Sequence, residues 1–514
     1  RMSPRPLIRV VTSAEAAACD VAAIERGTPS RALMQRAGAA SAAEIALRFG
    51  SRLTAGVLVL AGPGNNGGDA WVVAGALAAS GVRVRVCEPV PAATDDARAE
   101  RAIALPMVEA VPADSTALST GDVYRGEGVV IDGLLGTGSN GPPRGAVAAT
   151  LNGLRAMRDR AAIVALDLPS GIDASTGAAN GAVRATLTLT YGTVKRGHLL
   201  ARAVCGRIAV LDIGITGVTA AGALPQLVDR GWVARHVPEI AADAHKGSRR
   251  KIAIVGGGAG MSGAVILAAQ AAWRSGVGMV KAIVARDSLG SVREAEPQSL
   301  TAEWPATDDA VARHIATWAD AVVIGPGLGA GSPSRELVER VLRGWRGPVV
   351  MDADALNVFG SDVNALAGLL DGRAAILTPH AAEFARLTGH AVDDVLLHRF
   401  DVAVPLARHT RAVVLLKGQP TVVSAPNGER LVAASGTPLL AAAGSGDLLS
   451  GMVGTLLAQT GDTLSAAACA AWVHGRAAWL VHRRNRGVRG FSLSDVLEHL
   501  NPAWSVRSAP TRAP

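Results

Sequence analysis

Residues 62–69, GPGNNGGD, combine closely spaced glycines with amide and carboxylate side chains, a pattern typical of ligand-binding loops. The stretch follows an apolar run at 57–60 and precedes a helix-like segment that begins at Ala70, and Glu88 stands about 20 residues beyond it, as in a dinucleotide-binding Rossmann unit. Asp69 argues against that interpretation, because a bound pyrophosphate would meet a like charge at the helix N-terminus. The loop therefore predicts binding of hydroxyl groups, or of a cation shared with a ligand. The glycines that match G-x-G-x-x-G are Gly62, Gly64 and Gly67.

A second glycine-rich stretch, residues 441–447, precedes the helix-like apolar segment 448–457 in the second half of the chain. Its glycines let backbone N–H groups face an anion at a helix N-terminus, which stabilises charge developing during phosphoryl transfer. Asp447 is then placed to accept a hydroxyl proton, although an aspartate here can also be a helix cap. Lys417 suits a phosphate, and Glu383 suits a metal or a water. Because G-x-x-x-x-G-K-[ST] is absent, the sequence excludes a P-loop ATPase.

Both halves alternate short apolar runs with Ala-rich stretches of helical length, which predicts βα units and mostly parallel sheets covered on both faces. A chain of 514 residues exceeds one hydrophobic core, so two domains are expected, 1–225 and 226–505. The Pro-, Ser- and Arg-rich tail 506–514 is expected to be disordered. The predicted strands are 57–60, 82–86, 129–131, 163–166 and 187–190, then 251–255, 279–284, 321–324, 349–351, 375–377 and 413–416.

Polar side chains follow three of the strands predicted in the first half. Asp132, Asp167 and Ser170 come after two of them, and the stretch 65–69 comes after the third. Because ligands bind outside the carboxyl ends of parallel strands, we expect these groups to converge on one edge of the sheet. Any single acid can be a cap, but capping does not require acids at three neighbouring strand ends. Such oxygens suit potassium or magnesium, and neighbouring carboxylates raise one another's pKa toward that of a general base.

The composition indicates a globular protein, with 49% apolar and 18% charged residues. A net charge of +8 could suit nucleic acid, but scattered arginines and only 3% aromatics make nucleic acid an unexpected partner. Neither a signal peptide nor a membrane span is expected, since the longest apolar segment, 439–458, contains Asp447. The cysteines show no C-x-x-C spacing, which predicts neither zinc nor disulfides and favours a cytoplasmic location. They are Cys19, Cys87, Cys205 and Cys469.

Six motifs of the first half, in family order over about residues 7–220, resemble the NAD(P)H-hydrate epimerase domain. They are VTSAEAAACD, ALMQRAG, GPGNNGGD, DGLLGTG, ALDLPSGID and YGTVKRGH. The resemblance implies a Rossmann-like three-layer domain that binds potassium through Asn66, Asp132 and Ser170, with Asp167 contacting the substrate as the base. Ala70 departs from the family's usual glycine. The residues implied to bind the hydrated dinucleotide are Asn65, Asn66, Gly67, Gly68, Asp69, Gly136, Thr137, Gly138, Ser139, Asn140, Gly141, Pro142 and Asp167.

The second half resembles the NAD(P)H-hydrate dehydratase domain, which has a ribokinase-like fold, over about residues 230–500. The motifs are HKG, VGGGAGMSGA, GPGLG, DADAL, TPHAAEF and AAGSGD. Ala382 replaces a usual glycine, and Ser445 replaces threonine. The resemblance implies that the hydrate contacts Ala264, Gly327, His380 and Asp447. It implies that the nucleotide is bound by Lys417, Gly418, Gln419, Pro420, Thr421, Gly444, Ser445 and Gly446.

Taken together, the halves resemble the bifunctional NAD(P)H-hydrate repair enzymes. NADH and NADPH can add water across a nicotinamide ring double bond, giving R and S hydrates, NADHX and NADPHX. The resemblance implies that the first half interconverts these epimers and that the second phosphorylates the S hydroxyl, with Asp447 as base, and then releases phosphate. It implies potassium for the epimerase, magnesium for the dehydratase, and ADP as the donor, since bacterial members use ADP and this Ala-, Gly- and Arg-rich composition is typical of bacteria. We also expect a homo-oligomer.

Two other functions stay open at this stage. One is a ribokinase-superfamily small-molecule kinase whose N-terminal half is regulatory. His380-x-x-Glu383 argues against it, because that group usually has Asn-x-x-Glu. The other is a non-catalytic dinucleotide-binding module in which both glycine stretches only bind.

Overall fold

The chain folds into two compact α/β units, Arg1–Leu224 and Pro225–Pro514. The computed structural model describes residues 7–113, 115–215, 223–304, 310–485 and 487–506. The prediction of a two-domain α/β protein is therefore confirmed. The tail predicted to be disordered lies outside the described residues, apart from Val506.

The described part of the first unit is built on a seven-stranded, wholly parallel sheet. Its strand order is β4-β3-β2-β5-β6-β7-β9, while β1 and β8 pair separately. The strands are β1 (Val10–Val11), β2 (Val57–Ala61), β3 (Val84–Cys87), β4 (Glu109–Val111), β5 (Val129–Gly133), β6 (Ala162–Leu166), β7 (Leu187–Tyr191), β8 (Val194–Lys195) and β9 (Arg207–Leu211). The helices are α1 (Ser13–Glu25), α2 (Ser30–Leu53), α3 (Asn65–Ala79), α4 (Asp95–Ala104), α5 (Ser115–Thr120), α6 (Gly145–Met157), α7 (Arg196–Leu200) and α8 (Arg202–Cys205).

Both faces of this sheet are covered, as the continuous apolar runs predict. Successive side chains of a strand point to opposite faces, so β2 supplies both layers. Val57 and Val59 pack with α2 and α3, whereas Leu58 and Leu60 pack with α5 and α6. The polar ends of the strands are left as the surface on which a ligand can bind.

In its described residues the second unit contains a ten-stranded sheet in the order β10-β19-β18-β17-β16-β15-β14-β11-β12-β13. It is parallel except at β18, which is antiparallel to β17 and β19. The strands are β10 (Gln226–Leu227), β11 (Lys251–Val255), β12 (Met279–Val284), β13 (Leu300–Glu303), β14 (Ala321–Ile324), β15 (Val349–Met351), β16 (Ala375–Leu377), β17 (Val413–Leu416), β18 (Thr421–Ser424) and β19 (Arg430–Ala433). The helices are α9 (Arg230–His236), α10 (Ser262–Arg274), α11 (Leu289–Ala295), α12 (Ala310–Ala316), α13 (Ser332–Gly344), α14 (Asp354–Asn357), α15 (Val363–Leu370), α16 (Ala381–Thr388), α17 (Val392–Leu397), α18 (Val404–Thr410), α19 (Ser445–Thr460), α20 (Thr463–Asn485), α21 (Leu493–Glu498) and α22 (Leu500–Trp504).

Close packing of α19 on α10 fixes the position of the second glycine-rich stretch. A β-carbon at Gly451 would lie 2.0 Å from the carbonyl oxygen of Ala268, so only glycine permits this approach. Gly444, with φ +90°, is the N-cap of α19 and turns the chain into the helix. Asp447 is therefore the third residue of the helix rather than its cap.

Helix starts differ from the sequence expectation at both glycine-rich stretches. We expected a loop at 62–69 and a helix from Ala70, but α3 already begins at Asn65. Gly64 is extended and caps the helix, and the small residues that follow allow helical packing against the neighbouring loop. The amides and Asp69 therefore stand on the rigid first turns of a helix.

The four cysteines all lie in the described part of the chain, where they are buried and none is joined in a disulfide. Burial raises the pKa of the Cys87 thiol to about 11 and those of Cys205 and Cys469 to about 12. Among the described residues, no helix is long and apolar enough to cross a membrane.

Candidate active sites

A cavity of about 640 Å³ opens in the first unit, lined by residues that follow β2, β5 and β6 and by α1 and α2. Eight predicted substrate residues line it: Asn65, Asn66, Asp69, Gly136, Thr137, Gly138, Ser139 and Asp167. Among its described lining residues, Gly67, Gly68, Asn140, Gly141 and Pro142 are not found. The structure therefore brings most of the predicted groups together, while the glycines of α3 have a packing role.

Glycines bring the β2–α3 connection and the loop after β5 together. A β-carbon at Gly62 would lie 1.8 Å from the Leu134 carbonyl oxygen, and one at Gly67 would lie 1.8 Å from the Gly62 carbonyl oxygen. Neither approach is possible for a residue with a side chain. The contact fixes the positions of the predicted cation ligands relative to those of the predicted substrate residues.

Asp132, Ser170 and Asn66 form a buried polar layer between β5, β6 and α3. Asp132 accepts hydrogen bonds from the Ser170 amide at 2.9 Å and the Ser170 hydroxyl at 2.6 Å. Asn66 Nδ2 donates to the carbonyl oxygens of Leu135 and Leu166 at 3.0 and 3.1 Å. Asn66 Oδ1 is buried and has no partner among the described residues, and burial raises the pKa of Asp132. A cation would satisfy both groups, so these residues fit the predicted potassium.

Asp167 is held as an anion by contacts to both carboxylate oxygens. Lys195 Nζ donates to Oδ1 at 2.5 Å, and Oδ2 accepts from the Thr137 amide at 2.9 Å and from the Thr137 hydroxyl. Although burial opposes the charge, Lys195 and these hydrogen bonds lower the pKa of Asp167. The backbone of Asp167 is left-handed, with φ +60°, which costs of order 1 kcal/mol or more for a residue with a side chain.

The Asp167 backbone is fixed by His198. The Lys195 amide donates to His198 Nδ1 at 3.0 Å, and His198 Nε2 lies 2.7 Å from the Asp167 carbonyl oxygen. Because Nδ1 accepts, Nε2 must carry the proton and donate it to that carbonyl. Burial lowers the pKa of His198 to about 4, so the ring stays neutral.

Asp69 has the opposite electrostatic character in the same cavity. Burial raises its pKa well above the usual value, and the neighbouring charges of Asp167 and Asp20 raise it further. The cavity thus holds one carboxylate that favours the ionised form and one that favours the protonated form. Such a pair can deliver a proton to a ligand and accept one from it.

A second cavity, of about 490 Å³, lies at the N-terminus of α19 in the second unit. It is lined by His380 and Asp447 together with every predicted nucleotide residue: Lys417, Gly418, Gln419, Pro420, Thr421, Gly444, Ser445 and Gly446. Ala264 and Gly327 are not among its described lining residues, although a β-carbon at Gly327 would lie 3.0 Å from that of Ala264. The predicted nucleotide groups therefore share one space with the predicted base.

Lys417 connects carboxylates from two neighbouring strand ends. Its Nζ donates to Asp352 at 2.7 Å and lies 3.6 Å from Glu383. Asp352 also accepts from the hydroxyls of Thr378, at 2.8 Å, and Ser450. Burial opposes the charge on Lys417, but the two acids raise its pKa. The lysine is consequently a fixed cation at the N-terminus of α19.

Burial raises the pKa of Asp447 to about 7, and the nearby Asp352 carboxylate adds to this effect. A carboxylate with this pKa is a stronger base than an exposed aspartate and is still ionised in part at neutral pH. His380 caps α16, where its Nδ1 accepts from the Ala382 and Glu383 amides at 3.1 and 3.3 Å. The His380 side chain is half exposed, and its Nε2 lies 3.5 Å from a carboxylate oxygen of Glu383.

Comparison with known proteins shows which family has this arrangement. A bifunctional NAD(P)H-hydrate repair enzyme from Moorella thermoacetica is 34% identical over 515 residues, covering 96% of each chain. The chain belongs to the bifunctional NAD(P)H-hydrate repair enzyme family. The Escherichia coli K12 repair enzyme is 32% identical, with 86% of this chain and 84% of the relative covered.

The repair-enzyme family is also matched separately by each unit. The family described as NAD(P)H-hydrate dehydratase matches residues 252–501, and the YjeF-related protein N-terminus matches residues 30–197. An ADP/ATP-dependent NAD(P)H-hydrate dehydratase from Bacillus subtilis, co-crystallised with ATP and Mg²⁺, is 28% identical with a TM-score of 0.49. That comparison covers 55% of this chain and 99% of the other.

Sequence reasoning missed several groups of these repair-enzyme cavities. Lys195 lies within the motif YGTVKRGH, and a lysine beside the apolar β7 is a signal of a buried ion pair. Asp20 and Tyr191 line the first cavity, and His474 lines the second, without having been predicted as site residues. Their positions depend on how helices and strands distant in sequence pack together, which the pattern of one segment does not reveal.

Proposed function

We propose that the first unit interconverts the R and S hydrates of NADH and NADPH, and that the second dehydrates the S hydrate at the expense of ADP. Family membership over nearly the whole chain supports both activities. The observation that carries the dehydratase is the single cavity in which Asp447 meets all the predicted nucleotide residues.

In the epimerase, the carbon that bears the hydroxyl must lose and regain oxygen on opposite faces. Breaking the C–O bond with the electrons of the ring nitrogen requires a proton for the departing water. Asp69 can supply that proton because its pKa is raised. Asp167, held ionised by Lys195, contacts the substrate and takes the proton of the returning water.

Asn66, Asp132 and Ser170 would hold potassium beneath the substrate. The orphaned Asn66 Oδ1 and the buried Asp132 carboxylate support this assignment. Bound potassium would supply positive charge that lowers the cost of burying the Asp132 carboxylate.

In the dehydratase, Asp447 takes the hydroxyl proton while the hydroxyl oxygen attacks the terminal phosphorus of ADP and AMP departs. Backbone N–H groups of Gly444 and Gly446, at the start of α19, would face the transferring phosphoryl group, whereas the Ser445 N–H donates to the Ala442 carbonyl oxygen at 3.2 Å. Loss of phosphate and of a ring proton then restores the double bond. His380 contacts the hydrate from the N-terminus of α16.

Magnesium would be bound by the donor phosphates and by water, which leaves Asp447 to act as the base. Asp352 and Glu383 are already committed to Lys417, and this ion usually keeps several waters and binds substrate phosphates. Bound magnesium would neutralise phosphate charge.

The test is recovery of NADH absorbance from mixed hydrate epimers with ADP or ATP, with and without potassium. Full recovery that needs a nucleotide supports both activities. In the same assay Asp447→Asn should stop turnover of the S hydrate, and Asp167→Ala should stop loss of the R hydrate. A stable phosphorylated product without phosphate release would instead favour the small-molecule kinase, and turnover that survives Asp447→Asn would contradict the assigned base.

A further inference from the structure

The proposed epimerase reaction moves a proton from one carboxyl group of the first cavity to another. Asp69 protonates the departing hydroxyl group, the C–O bond breaks, and Asp167 takes a proton from the water that forms the new C–O bond on the opposite face. Burial raises the pKa of Asp69, whereas Lys195 and hydrogen bonds outweigh burial and lower the pKa of Asp167. A proton must therefore return from Asp167 to Asp69 before the next molecule can react in the same direction.

The other ionisable groups around Asp167 cannot carry this proton. Lys195 Nζ donates to Asp167 and, at 2.9 Å, to the Thr190 hydroxyl, and an ammonium group has no acceptor site. His198 uses both ring nitrogens, at the Lys195 amide and at the Asp167 carbonyl oxygen. Tyr191 lines the cavity, but burial raises the pKa of its hydroxyl well above the usual value. The return path therefore requires another group.

Asp20 is the remaining ionisable side chain among the described residues that line the first cavity. It belongs to the stripe of α1 that faces the cavity, and it is exposed, whereas Asp167 is only 9% exposed. Within the described part of the chain, no hydrogen bond or ion pair holds the Asp20 carboxyl group. Asp20 can therefore bind and release a proton in contact with solvent. The stripe consists of Ser13, Ala16, Ala17, Asp20 and Ile24.

Helix α1 is fastened to the loop that contacts Asp167. Ser13 Oγ donates to the Thr137 carbonyl oxygen at 2.7 Å, and the Ser13 amide donates to the Ser175 hydroxyl at 2.9 Å. The Thr137 amide in turn donates to the Asp167 carboxylate at 2.9 Å. Asp20 is therefore held at a fixed position relative to Asp167.

Proton affinity rises from Asp167 through Asp20 to Asp69. The protein around the cavity partly desolvates the Asp20 carboxyl group and raises its pKa, Lys195 opposes this rise, and the Asp167 charge adds to it. The Asp20 charge helps to raise the pKa of Asp69. A proton that passes from Asp167 to Asp20 and then to Asp69 is thus bound more tightly at each step.

We propose that Asp20 is the proton-transfer residue that resets the epimerase after each net conversion. This inference rests on the proposed epimerase function. Asp167 releases its proton through a bridging water to Asp20, and Asp20 passes a proton to Asp69 in the same way. No bond of the substrate changes in this step, and the total charge of the three groups is conserved.

The test separates net conversion from exchange at equilibrium, because only net conversion needs the reset. When the R and S hydrates are at equilibrium, each reverse reaction returns the proton that a forward reaction has moved. In Asp20→Asn, net conversion of the R hydrate should slow about tenfold in dilute buffer, less than removal of a general acid or base would cost. The rate of exchange between the epimers at equilibrium should match that of the wild type.

Net conversion is measured as NADH recovery from the R hydrate with ADP and an excess of Asp167→Asn, which supplies the dehydratase. Exchange is measured by NMR exchange spectroscopy of the two epimers without nucleotide. Imidazole added at constant ionic strength should restore most of the net rate of Asp20→Asn, because a small buffer can carry the proton instead. Asp20→Glu, which keeps a carboxyl group, should retain most of the net rate.

Glu25→Gln is the matched control. Glu25 is an exposed acid on the same helix and is not among the described residues that line the cavity, so this variant should behave as the wild type. Equal slowing of net conversion and exchange in Asp20→Asn would overturn the inference, as would an unchanged net rate or a slowed rate that imidazole does not restore. These outcomes leave the proposed epimerase function intact, whereas a wild-type protein without epimerase activity would overturn both.

Discussion

At the scale of single residues, the two proposed catalytic aspartates differ in what surrounds them. Asp167 is paired with Lys195, and its pKa is lowered. Asp447 stands among other acids, and its pKa is raised to about 7. The first is therefore ionised at neutral pH when no substrate proton has been transferred to it, while the second exchanges its proton near neutrality. Each unit thus has a carboxylate whose proton affinity suits acid–base work, Asp69 in the first cavity and Asp447 in the second.

The raised pKa of Asp447 predicts the pH dependence of dehydration. Below pH 7 the carboxyl group holds a proton and cannot accept one, so kcat/KM should fall about tenfold per pH unit. Above pH 7 it should level off. Asp352→Asn removes the nearest like charge and should move the midpoint to lower pH. These profiles can be measured with the S hydrate and saturating ADP, and a flat wild-type profile between pH 5 and 8 would contradict the role of Asp447.

The Lys195–Asp167 pair predicts a pH-dependent stability effect. Lys195→Met leaves a buried carboxylate unpaired and should lower the free energy of unfolding by about 3 kcal/mol at pH 7. In the wild type the stabilisation from Asp167, whose folded pKa is lowered, is present above the unfolded pKa and lost as pH falls through the folded value. In the variant, protonation of Asp167 should relieve the penalty in acid.

Urea unfolding at pH 7 and pH 4, followed by hydrogen exchange in β5 and β6, measures this difference. Lys195→Met/Asp167→Asn is the control, because it removes both charges and should recover much of the loss at pH 7. If Lys195→Met is as stable as the wild type, the Lys195–Asp167 pair does not contribute to the free energy of unfolding.

Much of the first site was predictable at this scale, because strand ends in a parallel sheet meet at one edge. Asn66, Asp132, Asp167 and Ser170 lie there as expected. The ionisation of Asp167 was not predictable, since we expected neighbouring acids to raise one another's pKa. Lys195 reverses that effect for Asp167, and its contact depends on the pairing of β8 with β1 and on the turn after β7.

At the scale of elements, apolar runs located the central strands of both sheets, but they missed the edge strands β4, β9, β10 and β13 as well as β18 and β19. All six strands predicted in the second unit have the observed bounds, since a strand buried on both faces is a continuous apolar run. The starts of α3 and α19 were placed too late, because glycine usually weakens a helix. Here close contacts with neighbouring backbone outweigh that preference, and the glycine stretches become the first helical turns.

The crowded glycines predict a contrast between two neighbouring positions. Gly62→Ala places a methyl group 1.8 Å from the Leu134 carbonyl oxygen and should separate the β2–α3 connection from the loop after β5. Epimerase activity should be lost, with a lower melting temperature of the first unit. A β-carbon at Gly64 meets nothing within 4 Å, so Gly64→Ala should keep the melting temperature. Calorimetry measures the melting temperatures of the two variants, and equal melting temperatures would contradict the packing argument.

At the scale of the whole molecule, each unit has its own sheet, core and cavity. The proposed reactions are consecutive, since the product of the first is the substrate of the second. A net charge of +8 favours the approach of anionic dinucleotides and nucleotides to the molecule as a whole.

The separation of the cavities predicts that the activities fail independently. With mixed epimers and ADP, Asp167→Asn should consume the S hydrate rapidly and then stall, apart from spontaneous epimerisation. Asp447→Asn should leave both epimers undehydrated, yet still equilibrate a sample enriched in one of them. Chromatography of the two epimers over time measures both. Mixing the two variants should restore full turnover, and a mixture that stays inactive would contradict independent sites.

The buried cysteines bear on how long the protein survives in use. Thiolate, not thiol, reacts with peroxides and alkylating agents, and at pH 7 a group with a pKa near 11 is ionised in about one molecule in 10⁴. Cys205 and Cys469 are ionised still less. An enzyme that repairs damaged NADH and NADPH must stay active in cells where reactive chemicals such as peroxides and alkylating agents can also reach the enzyme itself. The cysteine sulfur atoms of this protein are buried, so the packing that forms its cores also limits the access of such reagents to them.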